Sequence, residues 1–162
     1  VQLLGSGAIL RESIAAAELL SSDFKVQADI WSCPSFNELK RDGDDVFRWN
    51  QLHPEKTPRK CHVTKCLENS DGPVVAATDY VKLFADQIRA YVPKSYTVLG
   101  TDGYGRSDSR EALRKHFEVD RYYIALAALN ALYAEGSVSA KTVKSAIKKY
   151  GIDTGKANPL FS

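Results

Sequence analysis

The stretch PVVAATDYVKLFADQIRAYVPKSYTVLGTDGYGRSDSRE, Pro73 to Glu111, decides the fold. Its first run, PVVAAT, is apolar throughout, as a strand buried on both faces is. Asp79 is placed to cap a helix in which Val81, Phe84, Ala85 and Ile88 fall at i, i+3, i+4 and i+7, one helical face. Pro93 ends that helix, SYTVLG reads as the next strand, and a glycine-rich loop follows. Strand, helix, strand and loop in this order imply parallel neighbours.

The same alternation continues outward. Upstream, Val1–Leu4 is a short strand ending at Gly5, and GAILRESIAAAELLSS is a helix with Leu10, Ile14 and Ala17 on one face. KVQADIWS is a second strand, stopped by Pro34. SFNELKRDG is a short helix, with Ser35 as cap and Glu38 three residues on. From Asp44 to Pro58 no period is clean, and the segment reads as irregular. Downstream, Ser107 or Asp108 caps a helix through Phe117, and Asp120 caps a longer one ending at Gly136. Ser139 opens a last helix that Gly151 closes, and the tail IDTGKANPLFS reads as extended. The expectation is one α/β domain over residues 1–162, a mainly parallel sheet with helices on both faces.

Composition narrows the class. The chain has 162 residues, 44% apolar and 26% charged, which suits a soluble globular domain. Net charge is only +2 with both signs interspersed, so no basic stripe for nucleic acid is present. No apolar run approaches a membrane span. The chain starts in a strand and contains no Met, and it reads as a piece of a longer protein. Three cysteines, Cys33, Cys61 and Cys66, without a secretory signal suggest free thiols in a reducing compartment.

Most motifs stay short of chemistry. GSGAIL follows a strand and opens a helix, but Leu10 stands where a dinucleotide fingerprint needs a third Gly or Ala, so it reads as a tight turn. Cys61, His62 and Cys66, with His53 or Cys33 to complete a set, lack the paired spacing of structural zinc and read as unligated. No nucleophile elbow is present, and no catalytic residue is assigned. Lys141, Lys144 and Lys148 form a solvated face of the last helix.

The blocks ADIWSCPSFNELKRDG, RWNQLHPE, TDYVKLFADQIRAYVPKSYTVLGTDGYGRSDSREALRKHFEVDRYY and ANPL resemble one family in the same order. It is the carboxyl-terminal third domain of the homodimeric bacterial pyruvate dehydrogenase first components, within the transketolase superfamily. The resemblance implies a three-layer sandwich around a mixed, mainly parallel sheet of about five strands, with extra carboxyl-terminal helices. It implies a parent enzyme that decarboxylates pyruvate on thiamin diphosphate and reductively acetylates the lipoyl group of the dihydrolipoyl acetyltransferase component. Magnesium anchors the diphosphate there. The cofactor is held by the two preceding domains across a dimer interface, so no cofactor ligand is carried over to this chain. RDGDDVFRWN has Asn50 far too close to Gly43 for the diphosphate motif and reads as a solvated helix end. The implied partners are the preceding domains, a second copy of the chain and the acetyltransferase, with no nucleic acid and no membrane. The implied location is the bacterial cytoplasm.

Gly100–Glu111 carries the candidate site: Asp102, Gly103, Tyr104, Gly105, Arg106, Ser107, Asp108 and Arg110. Glycines, arginines and a following helix suit an anion. Asp102 and Asp108 oppose one, and a capping side chain would occupy the helix start. The favoured reading is a contact surface within the enzyme or complex, stiffened by Asp–Arg pairing, with Tyr104 packing at its tip. The alternative is an autonomous α/β binding or assembly module that uses this loop for an anion or a protein partner.

Overall fold

Four short strands lie side by side at the centre of the structure, a computed structural model describing residues 1–162. They are β1 (Gln2–Gly5), β2 (Asp29–Ser32), β3 (Val74–Ala77) and β4 (Tyr96–Leu99), in the order β2-β1-β3-β4, every pair parallel. Leu3 sits level with Ile30 and Val75, and Leu4 level with Trp31 and Ala76. Period-2 alternation sends Leu3, Val75 and Ala77 to one face and Leu4, Val74, Ala76 and Tyr96 to the other. Both faces are covered by helices, as PVVAAT implies. The sheet has four strands where about five were expected, and it is wholly parallel rather than mixed. Beyond β4 the chain forms only helices and turns.

One layer holds α1 (Leu10–Phe24), α6 (Arg121–Ala134) and α7 (Ala140–Lys149); the other holds α2 (Phe36–Leu52), α3 (His62–Leu67) and α4 (Lys82–Asp86). The core face of α1 is Ser13, Ala16 and Leu20, continued by Ile9 of the preceding turn, all buried, whereas Ile14 points to solvent. Small, polar Ser13 interrupts the apolar pattern and hides this face; its hydroxyl donates to the Ile9 carbonyl at 3.4 Å. Ser35 caps α2 as expected, accepting from the Glu38 amide at 3.2 Å. The helix then runs through Gly43 to Leu52, so RDGDDVFRWN is mid-helix and much of the supposed irregular segment is helical. Gly43 is there for packing: a Cβ would lie 2.3 Å from the Tyr91 ring.

Asp79 does not cap α4. The Tyr80 amide donates instead to Thr78 Oγ1 at 3.2 Å, and α4 begins after Val81. Ala85 and Ile88 are buried, Phe84 partly so, and Val81 is exposed. A 3-10 turn over Arg89–Tyr91 replaces the rest of the expected helix. The cap of α5 (Arg110–His116) is Ser109, one residue beyond the expected pair: it accepts from the Ala112 amide at 3.2 Å, and Asp108 accepts from the Ser109 amide at 2.6 Å. Asp120 and Ser139 cap α6 and α7 as expected, and Gly151 closes α7 in the left-handed region at φ +60. The tail is not extended. It turns twice and folds back, with Lys156 Nζ donating to the carbonyls of Lys115 and His116 at 3.1 and 2.5 Å.

Candidate functional site

Parallel strands bring all their carboxyl ends to one edge. β1 and β3 are neighbours there, and their connections leave in opposite directions, which opens a crevice between them. Ser6 after β1 and Thr78 after β3 floor it: the Ser6 hydroxyl donates to Thr78 Oγ1 at 2.9 Å, both buried. Gly5 permits the tight exit, since a Cβ would meet the Leu10 Cα at 2.8 Å.

Above this floor is a cleft of about 360 Å³. Ala8 and Ile9 line it from the first turn, Asp79 from the loop after β3, and Thr101, Gly103, Gly105 and Arg106 from the loop after β4. Arg110, Leu113, Arg114 and Phe117 come from α5 and its end, with Val119 beyond. The loop therefore stands at the carboxyl edge, where the sequence placed it.

Its anchoring differs from expectation. Thr101 donates to the carbonyl of Tyr80 through its amide, at 2.8 Å, and to that of Asp79 through its hydroxyl, at 3.0 Å. Asp102 accepts from the Lys82 amide at 3.2 Å and faces the Lys82 ammonium at 3.8 Å. Asp102 thus pairs with Lys82 at the start of α4, and the expected Asp–Arg pairing within the loop is absent. Gly103, at φ +123, passes under the tail, where a Cβ would lie 2.3 Å from the Pro159 carbonyl oxygen. Tyr104, at the tip of the loop, is 78% exposed. Ser107 makes no hydrogen bond, and Arg106 and Arg110 have no carboxylate within 4.0 Å.

One part of the site has no local signal in the sequence. Glu12 of α1, buried, accepts from Arg114 Nη1 at 2.9 Å, from Arg121 Nε and Nη2 at 3.0 and 3.2 Å, and from the Arg121 amide at 3.1 Å. Burial alone would raise the Glu12 carboxyl. The Arg121 hydrogen bonds and the two guanidinium charges outweigh it and hold the carboxyl below the ordinary glutamate range. Its partners lie more than 100 residues away, with |i−j| of 102 and 109. Nearby, His116 Nε2 is shut off from solvent with no partner. Burial first, then the charges of Arg106 and Lys156, lower its pKa against the opposing pull of Glu118.

The cysteine–histidine group is spread out. His62 Nε2 and Cys66 Sγ lie 3.5 Å apart on one turn of α3, while Cys61 Sγ turns to Thr64 Oγ1 at 3.1 Å. Cys33 is buried, and burial pushes its thiol up to about 11. His53 stacks on Trp49 at 4.4 Å. No three such donors converge as metal ligands would. Lys141, Lys144 and Lys148 are exposed on α7, and no helix is long and apolar enough to cross a membrane.

Beside the cleft, the loops after β3 and β4, the start of α4 and the tail expose Tyr80, Val81, Leu83, Tyr104, Leu160 and Phe161. The bonds at Thr101 and Asp102 tie the loop after β4 to the loop after β3 and to the start of α4, and Gly103 lies close against the tail.

Comparison with known proteins agrees with this architecture. The pyruvate dehydrogenase E1 component of Cupriavidus necator is 60% identical over 160 residues, 99% of this chain and 18% of its own length. That of Escherichia coli K12 is 55% identical over 163 residues, covering 100% of this chain and 18% of its own. The chain thus spans less than a fifth of these relatives, as their carboxyl-terminal part. Among solved structures, a split-gene transketolase, an inactive β4 tetramer, shares the fold at TM-score 0.53 and 14% identity. The match covers 82% of this chain and 39% of that one. The model of the transketolase-like C-terminal domain matches residues 1–120, and the chain belongs to that family.

Proposed function

We propose that this chain serves as the non-catalytic carboxyl-terminal domain of a pyruvate dehydrogenase first component. The parent would decarboxylate pyruvate and reductively acetylate the lipoyl group of a dihydrolipoyl acetyltransferase in the bacterial cytoplasm. The observation that carries this reading is 60% identity along nearly the whole chain to the E1 component of Cupriavidus necator. The 162 residues would act as one domain. Its partners would be the preceding domains, a second copy of the chain and the acetyltransferase.

Thiamin diphosphate and magnesium would be held outside this segment. Magnesium needs free oxygen ligands in octahedral array. Here Asp44 is engaged by Lys40 at 2.5 Å and by the Tyr91 hydroxyl, and Asp102 by Lys82. No three carboxylate, histidine or cysteine side chains converge in this segment, so its donor set does not fit a magnesium–diphosphate site.

The domain's contribution would be assembly, through the exposed apolar edge that includes Leu83, 74% exposed, and Tyr104. Clusters of large exposed apolar side chains mark contact surfaces. In the full-length enzyme, Leu83→Ser with Tyr104→Ser should weaken dimerisation in sedimentation at least tenfold. Turnover should fall in parallel, and thiamin diphosphate affinity of the assembled fraction should stay within twofold. Normal assembly with lost cofactor affinity would place this edge at the active site and overturn the reading.

A further inference from the structure

The cleft behind that edge has features that contact with another protein does not require. We propose that it is a binding site for a small phosphate ester, the phosphate held by Arg106, Arg110 and Arg114 and the organic group lying against the apolar wall.

Charge gives the first argument. Neither Arg106 nor Arg110 is paired with a carboxylate, and Glu12 is shared between Arg114 and Arg121. Asp79 is the only acidic side chain on the wall. The cleft therefore carries positive charge in excess. A carboxylate monoanion would offset little of it, whereas a phosphate ester is a dianion near neutral pH. Guanidinium groups bind phosphate oxygens in fork geometry.

Position gives the second. Arg114 is only 18% exposed, and Glu12 holds its Nη1 at 2.9 Å. The Arg114 guanidinium is thus oriented before any ligand arrives, the preorganisation that reduces the cost of binding. Arg106 and Arg110 remain free to close on a ligand from the loop and from α5. Gly105 has nothing within 4 Å of its missing Cβ, so the ligand meets bare backbone there.

Shape gives the third. Ile9, Leu113, Phe117 and Val119 form an apolar wall beside the arginines. A cleft of about 360 Å³ sits at the low end of the roughly 300–1,000 Å³ of small-molecule sites. The Asp79 carboxylate accepts no hydrogen bond within the chain and is available to a ligand hydroxyl. The crevice between β1 and β3 is also where parallel sheets place their ligands.

The test does not depend on the proposed parent activity. Calorimetry uses the full-length protein, saturated beforehand with thiamin diphosphate and magnesium, and titrates AMP at low ionic strength. Saturable binding with a Kd on the order of 0.1 mM is expected, as for a fragment-sized ligand. Inorganic phosphate should compete. Arg106→Gln with Arg110→Gln should raise the Kd at least tenfold, and Arg106→Gln alone about threefold, with unchanged urea midpoints. Lys144→Gln, on the solvated face of α7, should leave it unchanged, as should Leu83→Ser with Tyr104→Ser. No saturable binding would overturn the proposal. So would equal affinity in the arginine variants, or equal loss in Lys144→Gln, which would indicate non-specific attraction. Loss of assembly in the Leu83/Tyr104 variant with AMP binding intact would separate the two surfaces.

Discussion

The two helical layers cover opposite faces of one sheet by different means. On the α1/α6/α7 side, fifteen buried residues form a continuous apolar core, and the helices run 15, 14 and 10 residues. On the α2/α3/α4 side the buried cluster has twelve residues, and α3 and α4 are only six and five residues long. Helices that short do not persist alone. Side chains bonded to backbone hold them: Tyr96 Oη donates to the Ala85 carbonyl and Thr64 Oγ1 to the Tyr91 carbonyl, both at 2.8 Å. The Arg89 guanidinium donates to the Tyr96 carbonyl at 2.7 Å. Apolar burial secures one layer, and polar ties across the short α3 and α4 segments supplement a smaller apolar cluster in the other.

Removing the same side chain from each layer tests that contrast most strongly. Leu129 in α6 is fully buried, and Leu67 in α3 is 3% exposed. Leu129→Ala leaves a cavity between long helices that cannot shift singly, and should cost about 4 kcal/mol. Leu67→Ala lies at the end of a short helix that can settle inward, and should cost about 2 kcal/mol. Urea unfolding of both variants measures the difference. Equal losses would mean that the α3 side is as rigid as the other.

The α1/α6/α7 layer has one buried charge, and its pH dependence sharpens the contrast. The folded state depresses the Glu12 carboxyl. Its stabilisation is present in full above the unfolded value, about 4.3, and is lost as pH falls through the lower folded value. Glu12→Gln keeps the size but not the charge and leaves Arg114 and Arg121 short of a partner. A loss of about 2 kcal/mol at pH 7 is expected, because Arg121 is 45% exposed and water compensates part of the change. The loss should shrink toward pH 3. A loss equal at both pH values would show that packing, not charge, is what Glu12 supplies.

What was legible in the sequence follows the same division. Asp120, Ser139, Gly136 and Gly151 are local signals, and they mark the ends of α6 and α7 correctly. The order of strands and helices was legible because each strand is short and bounded by turn residues, and β3 is apolar throughout. On the other side Ser35 marks the start of α2 correctly, but two further signals misled. Gly43 read as a stop, yet it serves the Tyr91 ring 48 residues later, and α2 runs on to Leu52. Asp79 read as a cap, yet the chain leaves β3 in a different direction. The candidate loop was found because its glycines are local. Its real anchor, Asp102 to Lys82, and the Glu12–Arg114–Arg121 cluster join residues distant in sequence. No periodicity or capping rule reports such pairs, and Asp102 was therefore assigned to the wrong cation.

The smallest effect compares the caps that begin one helix in each layer. Ser35 accepts one amide bond, from Glu38, and is neutral. Asp120 accepts two, from Tyr122 and Tyr123, both at 3.0 Å. Two bonds and the helix dipole favour the charged Asp120. Burial opposes the charge first, and Glu12 repels it, so the carboxyl sits above the ordinary aspartate range. A carboxyl raised on folding disfavours the folded state as pH climbs past the unfolded value, about 3.9, and the full cost applies above the folded value. Asn in its place keeps an acceptor oxygen for both amides and carries no charge. Asp120→Asn should therefore match or slightly exceed the parent at pH 7, while Asp120→Ala loses about 1 kcal/mol with the cap. Relative to the parent, Asp120→Asn should gain as pH rises from 3 to 7, the opposite of Glu12→Gln. Ser35→Ala should lose up to about 1 kcal/mol at every pH, since nothing titrates in that cap. Urea midpoints for the three variants at pH 3, 5 and 7 decide it. An Asp120→Asn variant weaker than the parent by 1 kcal/mol at pH 7 would mean that the two amide bonds and the dipole outweigh burial, with the charge on Asp120 stabilising the fold.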